Sequence, residues 1–277
     1  MFRFLFSLFL LTYFAYAKGV VTVSIPPQAF FVEKIAKDTV DINVLIPPNS
    51  DEHSFELKPS VIKELEKSDI YFAIGFSFEE SLLKRFKNTL KHLDIVKTQE
   101  NINLLEQSHN GHKHSALDTH IWLDPILVKV QAQNITNALI KHYPQHKNFY
   151  ENNLKVFHDE LDSIDSDIKK KFQGIKNNKF IVYHPSWSYF AKRYELMQIP
   201  VQINNKEPKA RDLQRLIDIA KGENIKVVFI QKGFSKEAAQ TIAKECNARL
   251  EEIDHLSRDW KNELLKSADI LAYSLKE

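Results

Sequence analysis

From Val20 onward, short apolar runs alternate with longer stretches whose apolar residues recur every three or four positions. Val20–Ser24, Val40–Ile46, Ile70–Ile74 and Leu93–Val96 are short and rich in β-branched or aromatic residues, as buried strands are. Between them, Phe30–Lys37, Ser60–Lys67 and Phe78–His92 carry helical spacing, with Ser60 and Ser77 expected as N-caps. The alternation returns after position 178. Lys179–Tyr183, Met197–Ile203, Lys226–Ile230 and Leu250–Ile253 read as strands. Ser186–Tyr194, Arg211–Lys221, Lys236–Cys246 and Asp259–Leu275 read as helices. This alternation predicts an α/β fold of two similar (β/α)4-type lobes with parallel sheets.

A weak internal repeat supports two matching lobes. Val23-Ser24-Ile25-Pro26 with Phe30-Phe31 resembles Val182-Tyr183-His184-Pro185 with Tyr189-Phe190, 159 residues later. Gly75-Phe76-Ser77-Phe78-Glu79 resembles Gly233-Phe234-Ser235-Lys236-Glu237 at an offset of 158. Both matches fall at strand–helix junctions, which favours duplication over coincidence. Residues 125–173 show no strand pattern. There Leu154, Phe157, Leu161, Ile164, Ile168 and Phe172 form one apolar stripe, with Gly174 expected at the helix C′ position. Pro125 suits the first turn of an earlier helix. The expected organisation is therefore an N-terminal lobe at 18–124, connecting helices with one long spine at 125–174, and a C-terminal lobe at 175–277. Each lobe is expected to bury its own core, and a loop at 100–119 holds several histidines.

The segment 1–17, MFRFLFSLFLLTYFAYA, has a basic n-region at Arg3, an apolar run and an Ala15-Tyr16-Ala17 cleavage pattern. That is the form of a signal peptide, and the run is shorter than the roughly 20 residues of a membrane span. No cysteine stands at the cleavage point, so export without a lipid anchor is expected. Lys+Arg number 38 against 36 Asp+Glu, a net +2, which argues against a nucleic-acid partner. Only six glycines occur in 277 residues, and none are spaced for G-x-G-x-x-G or a P-loop, so phosphate cradling by those motifs is excluded.

One cysteine, Cys246, stands against eleven histidines, so a metal site must use imidazole and carboxylate. His92, His142, His146 and His158 lie among polar residues on expected helix surfaces. His53 follows a strand and the loop Pro47-Pro48-Asn49-Ser50-Asp51-Glu52; His120 ends a polar loop and opens a helix; His184 follows the strand ending at Tyr183. Asp254 ends another strand. In open α/β sheets ligands bind at strand carboxyl ends, so these four fall where a cleft between the lobes would lie. Each alone reads equally well as a hydrogen-bonded loop residue; together they carry more weight. Three imidazoles and one carboxylate suit Zn²⁺, and could also hold Mn²⁺ or Fe²⁺.

Three segments carry a family resemblance. They are Glu52-His53-Ser54-Phe55-Glu56-Leu57-Lys58-Pro59-Ser60, His120-Ile121-Trp122-Leu123-Asp124-Pro125 and His184-Pro185-Ser186-Trp187-Ser188-Tyr189-Phe190-Ala191. The chain resembles the metal-binding solute-binding proteins of ABC transporters (cluster A-I), and within them the zinc-uptake branch. The resemblance runs over essentially the whole segment after residue 17. It implies metal ligands at His53, His120 and His184, with Asp254 as fourth, or Glu52 or a water in its place. Family members usually follow the fourth ligand with proline, whereas here His255 follows and becomes a possible extra ligand. His109, His112 and His114 stand where the family has a long His/acid loop; they read equally as a metal-capture loop or a solvated linker. The implied function is periplasmic capture of Zn²⁺ as cargo and its delivery to an ABC permease in the cytoplasmic membrane, by a monomer that is no enzyme. The alternatives are Mn²⁺ or Fe²⁺ import on the same fold, and a secreted zinc-dependent hydrolase. Surface adhesion, ascribed to some relatives, is neither supported nor excluded by these residues.

Overall fold

The computed structural model describes residues 18–48, 50–53, 55, 58–86, 89–106, 117–203 and 206–276. The signal-peptide segment 1–17 and the histidines at 109, 112 and 114 lie outside them. The N-terminal lobe runs β1 (Gly19–Val23), α1 (Pro26–Ala36), β2 (Val40–Val44), α2 (Pro59–Glu66), β3 (Ile70–Ala73), α3 (Ser77–Phe86) and β4 (Asp94–Lys97). After a short 3-10 turn at Ile121–Leu123 come α4 (Pro125–His142) and α5 (Lys147–Lys171). The C-terminal lobe runs β5 (Lys179–Val182), α6 (Ser188–Arg193), β6 (Met197–Pro200), α7 (Ala210–Gly222), β7 (Val227–Gln231), α8 (Glu237–Glu245), β8 (Arg249–Ile253) and α9 (Trp260–Lys276).

Each lobe has a four-stranded parallel sheet, ordered β2-β1-β3-β4 in one and β6-β5-β7-β8 in the other. The identical order gives the sequence repeat an architectural counterpart. The central strands are buried on both faces, which is why they read as continuous apolar runs rather than alternating ones. Thr22, polar and buried in β1, is satisfied by Ser68 Oγ at 2.6 Å.

The expectation of two separate cores is corrected here. Val21, Val23, Ile70 and Phe72 on one face of the first sheet belong to the same apolar cluster as Phe180, Val182, Val227 and Phe229 of the second. The stripe of α5, from Leu154 through Phe172, is buried between them with α1, α4 and α9. Only the outer faces keep separate clusters, around Tyr71 and Leu82 in one lobe and Ile181 and Val228 in the other. The reason is the alternation of side chains along each strand: odd and even positions face opposite ways, and both inner faces turn to the spine. At 25 residues, α5 spans about 37 Å, long enough to back both sheets.

Three element ends also differ from expectation. Helix α2 starts at Pro59 with Lys58 as N-cap, so Ser60 lies within the first turn; proline's fixed φ sets the start. The described part of helix α3 ends at Phe86, and Leu90 and Leu93, expected within that helix or just past it, lie outside it in the outer core of the first lobe. Helix α5 has Phe172 as its C-cap, so Gly174, at φ +73°, sits one residue beyond C′ and makes the left-handed turn there. Asp124 caps α4, its Oδ1 accepting from Ile126 N at 2.8 Å, and pairs with Arg193 of α6.

A shared core predicts that the metal-free protein unfolds in one cooperative transition by calorimetry, not two. Leu161→Ala in α5 should lower that whole transition, costing about 2–5 kcal/mol, a value typical of a fully buried leucine. A second, unshifted transition would show the lobes to be independent.

Candidate metal centre

The loops at the strand carboxyl ends of both lobes meet in a cleft, and the site is built there. The loop after β2 carries Glu52 and His53, its turn set by Asp51 Oδ1 accepting from His53 N at 2.9 Å. His120 opens the 3-10 turn before α4, and its backbone N donates to Asp118 Oδ1 at 2.9 Å. His184 directly follows β5. Gln231, at the end of β7, grips its backbone on both sides: Oε1 accepts from His184 N at 3.1 Å and Nε2 donates to His184 O at 2.6 Å. Phe234 stacks on the His184 ring at 4.8 Å, while Phe76 stands edge-on to His53 at 6.1 Å.

Glu52, His53, His120 and His184 each offer one ligand atom, and these atoms all lie within 4.8 Å of one another. His120 Nε2 lies 3.3 Å from His184 Nε2, which lies 3.2 Å from His53 Nε2; Glu52 Oε1 is 3.1 Å from His120 Nε2. Outer partners fix the rings. His120 Nδ1 donates to Asp118 Oδ1 at 2.7 Å and His184 Nδ1 to Gln202 Oε1 at 2.8 Å. With Nδ1 carrying the proton, each Nε2 is left to face the centre of the group. Glu52, His120 and His184 are fully buried; the His53 side chain keeps 21% exposure, so solvent reaches the group from its side.

Titration follows from this arrangement. Burial pulls the His120 imidazolium down, but Asp118 and Glu52 outweigh it and raise its pKa to about 9. Burial lowers His184 to about 3 and also lowers His53. Burial would raise Glu52, yet the attraction of His255 and hydrogen bonds from His120 and His255 hold it well below the usual carboxylate range. At neutral pH His120 thus carries one proton beyond its Nδ1–H, beside an ionised Glu52, while His184 is neutral. A divalent cation entering the group displaces that proton and meets a carboxylate and three imidazole nitrogens.

A family model described as zinc-uptake complex component A, periplasmic (ZnuA), matches residues 21–268. The chain belongs to the ZnuA family. The high-affinity zinc uptake system protein ZnuA of Bacillus subtilis (strain 168) is 29% identical over 271 residues, covering 92% of this chain and 85% of that protein. A crystal structure of ZnuA superposes with a TM-score of 0.88 at 37% identity, covering 94% of this chain and 100% of that one. A ZnuA deletion mutant with zinc bound superposes equally well, with a TM-score of 0.88 at 37% identity, covering 94% and 99%.

Within this ZnuA frame, the expected residues fall in three groups. His53, His120 and His184 come together, and Glu52 joins them. Asp254 is placed outside the group: Oδ1 accepts from Leu256 N at 3.1 Å and Oδ2 pairs with Lys232 at 3.4 Å. The turn after β8 points His255 into the cleft instead, its Nε2 3.0 Å from Glu52 Oε1. His92 and His158 bond backbone carbonyls and His142 pairs with Asp94, all away from the cleft. Sequence reasoning did not single out Asp118, Gln202, Gln231 or Phe234. Asp118 had a usable signal, its position two residues before His120. Gln202 and Gln231 had only their places after β6 and at the end of β7.

Because His120 gives up its proton when metal binds, zinc affinity should rise about tenfold per pH unit up to about pH 9 and fall by that factor for each unit below it. Calorimetric titrations at pH 7.5 in buffers of different ionisation enthalpy should count about one proton released per zinc. A buffer-independent enthalpy would contradict a protonated His120 in the metal-free state.

Proposed function

We propose that this protein captures Zn²⁺ outside the cytoplasmic membrane, in the periplasm, and delivers it to an ABC permease for import. The observation that carries this reading is the convergence of three imidazole nitrogens and one carboxylate in a buried cleft of a ZnuA-family chain. The ligand set proposed is Glu52, His53, His120 and His184. Nitrogen-rich, four-donor ligation suits Zn²⁺ and is less suited to Mn²⁺, which favours oxygen. A zinc hydrolase keeps a coordination position open for water; four protein donors leave cargo as the better use of this site. Zinc is then the transported substrate, held and released unchanged.

Release has a geometric basis. Glu52, His53 and His120 belong to the N-terminal side of the cleft and His184 to the C-terminal lobe. A small displacement of one lobe against the other at the permease lengthens the His184 bond first. Removal of residues 1–17 during export, with no lipid anchor, and a monomeric state complete the proposal.

Two substitution experiments test it. Tight zinc binding, measured by competition with a chelator, should be lost in His120→Ala and His184→Ala, while far-ultraviolet circular dichroism stays unchanged. Retained tight binding in either variant would exclude this ligand set. In the second experiment, Glu52→Ala should weaken zinc at least tenfold, whereas Asp254→Ala should leave it within about twofold, because Asp254 is engaged with Lys232 and Leu256. The reverse order would make Asp254 the fourth ligand.

A further inference from the structure

His255 is buried, and its Nε2 lies 3.0 Å from Glu52 Oε1 across 203 residues of sequence. It contacts the carboxylate yet is not one of the four groups whose ligand atoms lie within 4.8 Å of one another. Its own place is fixed from several sides. Trp122 Nε1 donates to the His255 carbonyl at 2.6 Å, and the Trp122 ring lies nearly parallel to the imidazole at 6.4 Å. Phe234, which stacks on His184, also borders the His255 ring at 6.2 Å. Trp122 is anchored in turn, its carbonyl accepting from Trp260 Nε1 at 2.7 Å.

Glu52 needs such a partner. Its carboxylate is fully buried on a loop, and among the described residues Oε2 has no hydrogen-bond partner. Among the described residues no hydrogen bond at Oε2 therefore fixes which oxygen of the carboxylate faces the imidazoles. Oε1, by contrast, has two lone pairs, one able to meet a cation at the centre while the other keeps a donated hydrogen bond. A rigid N–H donor on the far side of Oε1 would therefore hold that oxygen, and not Oε2, toward the three imidazoles.

Resting on the reading of this cleft as a zinc-capture site, we propose that His255 is a positioning residue: its Nε2–H holds Glu52 as a one-oxygen ligand, and His255 itself does not bind the ion. The bond also joins the turn after β8 in the C-terminal lobe to the loop after β2 in the N-terminal lobe. Through it, Glu52 is located by both lobes although it is carried by one.

The test is a set of equilibrium zinc titrations against a competing chelator, on wild type, His255→Phe, His255→Gln, Glu52→Ala and the Glu52→Ala/His255→Phe double variant. His255→Phe should weaken zinc about 10- to 100-fold, the usual effect of losing an outer partner of a metal ligand. His255→Gln, which keeps an N–H donor, should recover most of that loss. In the Glu52→Ala background, His255→Phe should have no further effect, because the route through the carboxylate is already gone. Wild-type affinity in His255→Phe would overturn the proposal in favour of packing alone. An undiminished effect of His255→Phe in the Glu52→Ala background would overturn it in favour of direct ligation. Failure of His255→Gln to bind better than His255→Phe would likewise count against the hydrogen bond. If wild type itself does not bind zinc, the reading of the cleft fails, and that outcome is separate from these.

Discussion

Everything in this molecule depends on holding imidazole nitrogens face to face. Nε2 atoms 3.2–3.3 Å apart cannot all carry charged imidazolium protons without strong repulsion. The group meets this with one raised and one lowered histidine pKa around a glutamate held well below its usual range. The outer contacts exist to keep that arrangement from relaxing: Asp118 on His120, Gln202 on His184, Gln231 on the His184 backbone. Each donor or acceptor is itself buried or tied to a strand end. The sheets matter here because their carboxyl ends are rigid points from which short loops can aim side chains into one small volume.

The second requirement is that two lobes keep a common frame. One apolar cluster runs from β1 and β3 through α5 to β5, β7 and α9. Near the cleft the lobes are further joined by polar contacts. Tyr189 Oη donates to the Asp118 carbonyl at 2.7 Å, Trp260 donates to the Trp122 carbonyl, and Arg193 pairs with Asp124. Tyr189 and Arg193 come from the C-terminal lobe and hold the segment that presents His120. The C-terminal lobe therefore supports the segment that presents His120 as well as carrying His184.

Most of the fold was legible because parallel strands buried on both faces appear as continuous apolar runs, and the helix between two such runs has its own period. The long stripe of α5 was legible for the same reason. The shared core was not, because the pattern of one strand shows that both faces are covered but not by which element. At the site, His53, His120 and His184 were legible from their places at strand or loop ends and from the motifs around them. Which neighbour completes the group was not. Asp254 and His255 are adjacent, and Glu52 adjoins His53; the choice depends on the direction of a turn, which residue type does not encode. Gln202 and Gln231 were silent because a glutamine that orients a histidine through one hydrogen bond leaves no periodic or compositional trace.

The partial exposure of His53, alone among the four grouped side chains, leaves the group open to solvent from one face. On the proposed reading, an ion would approach from that face, against a wall shaped by Glu52, His120 and His184. Solvent access on the His53 face and lobe displacement on the His184 face would then act on opposite sides of the same group.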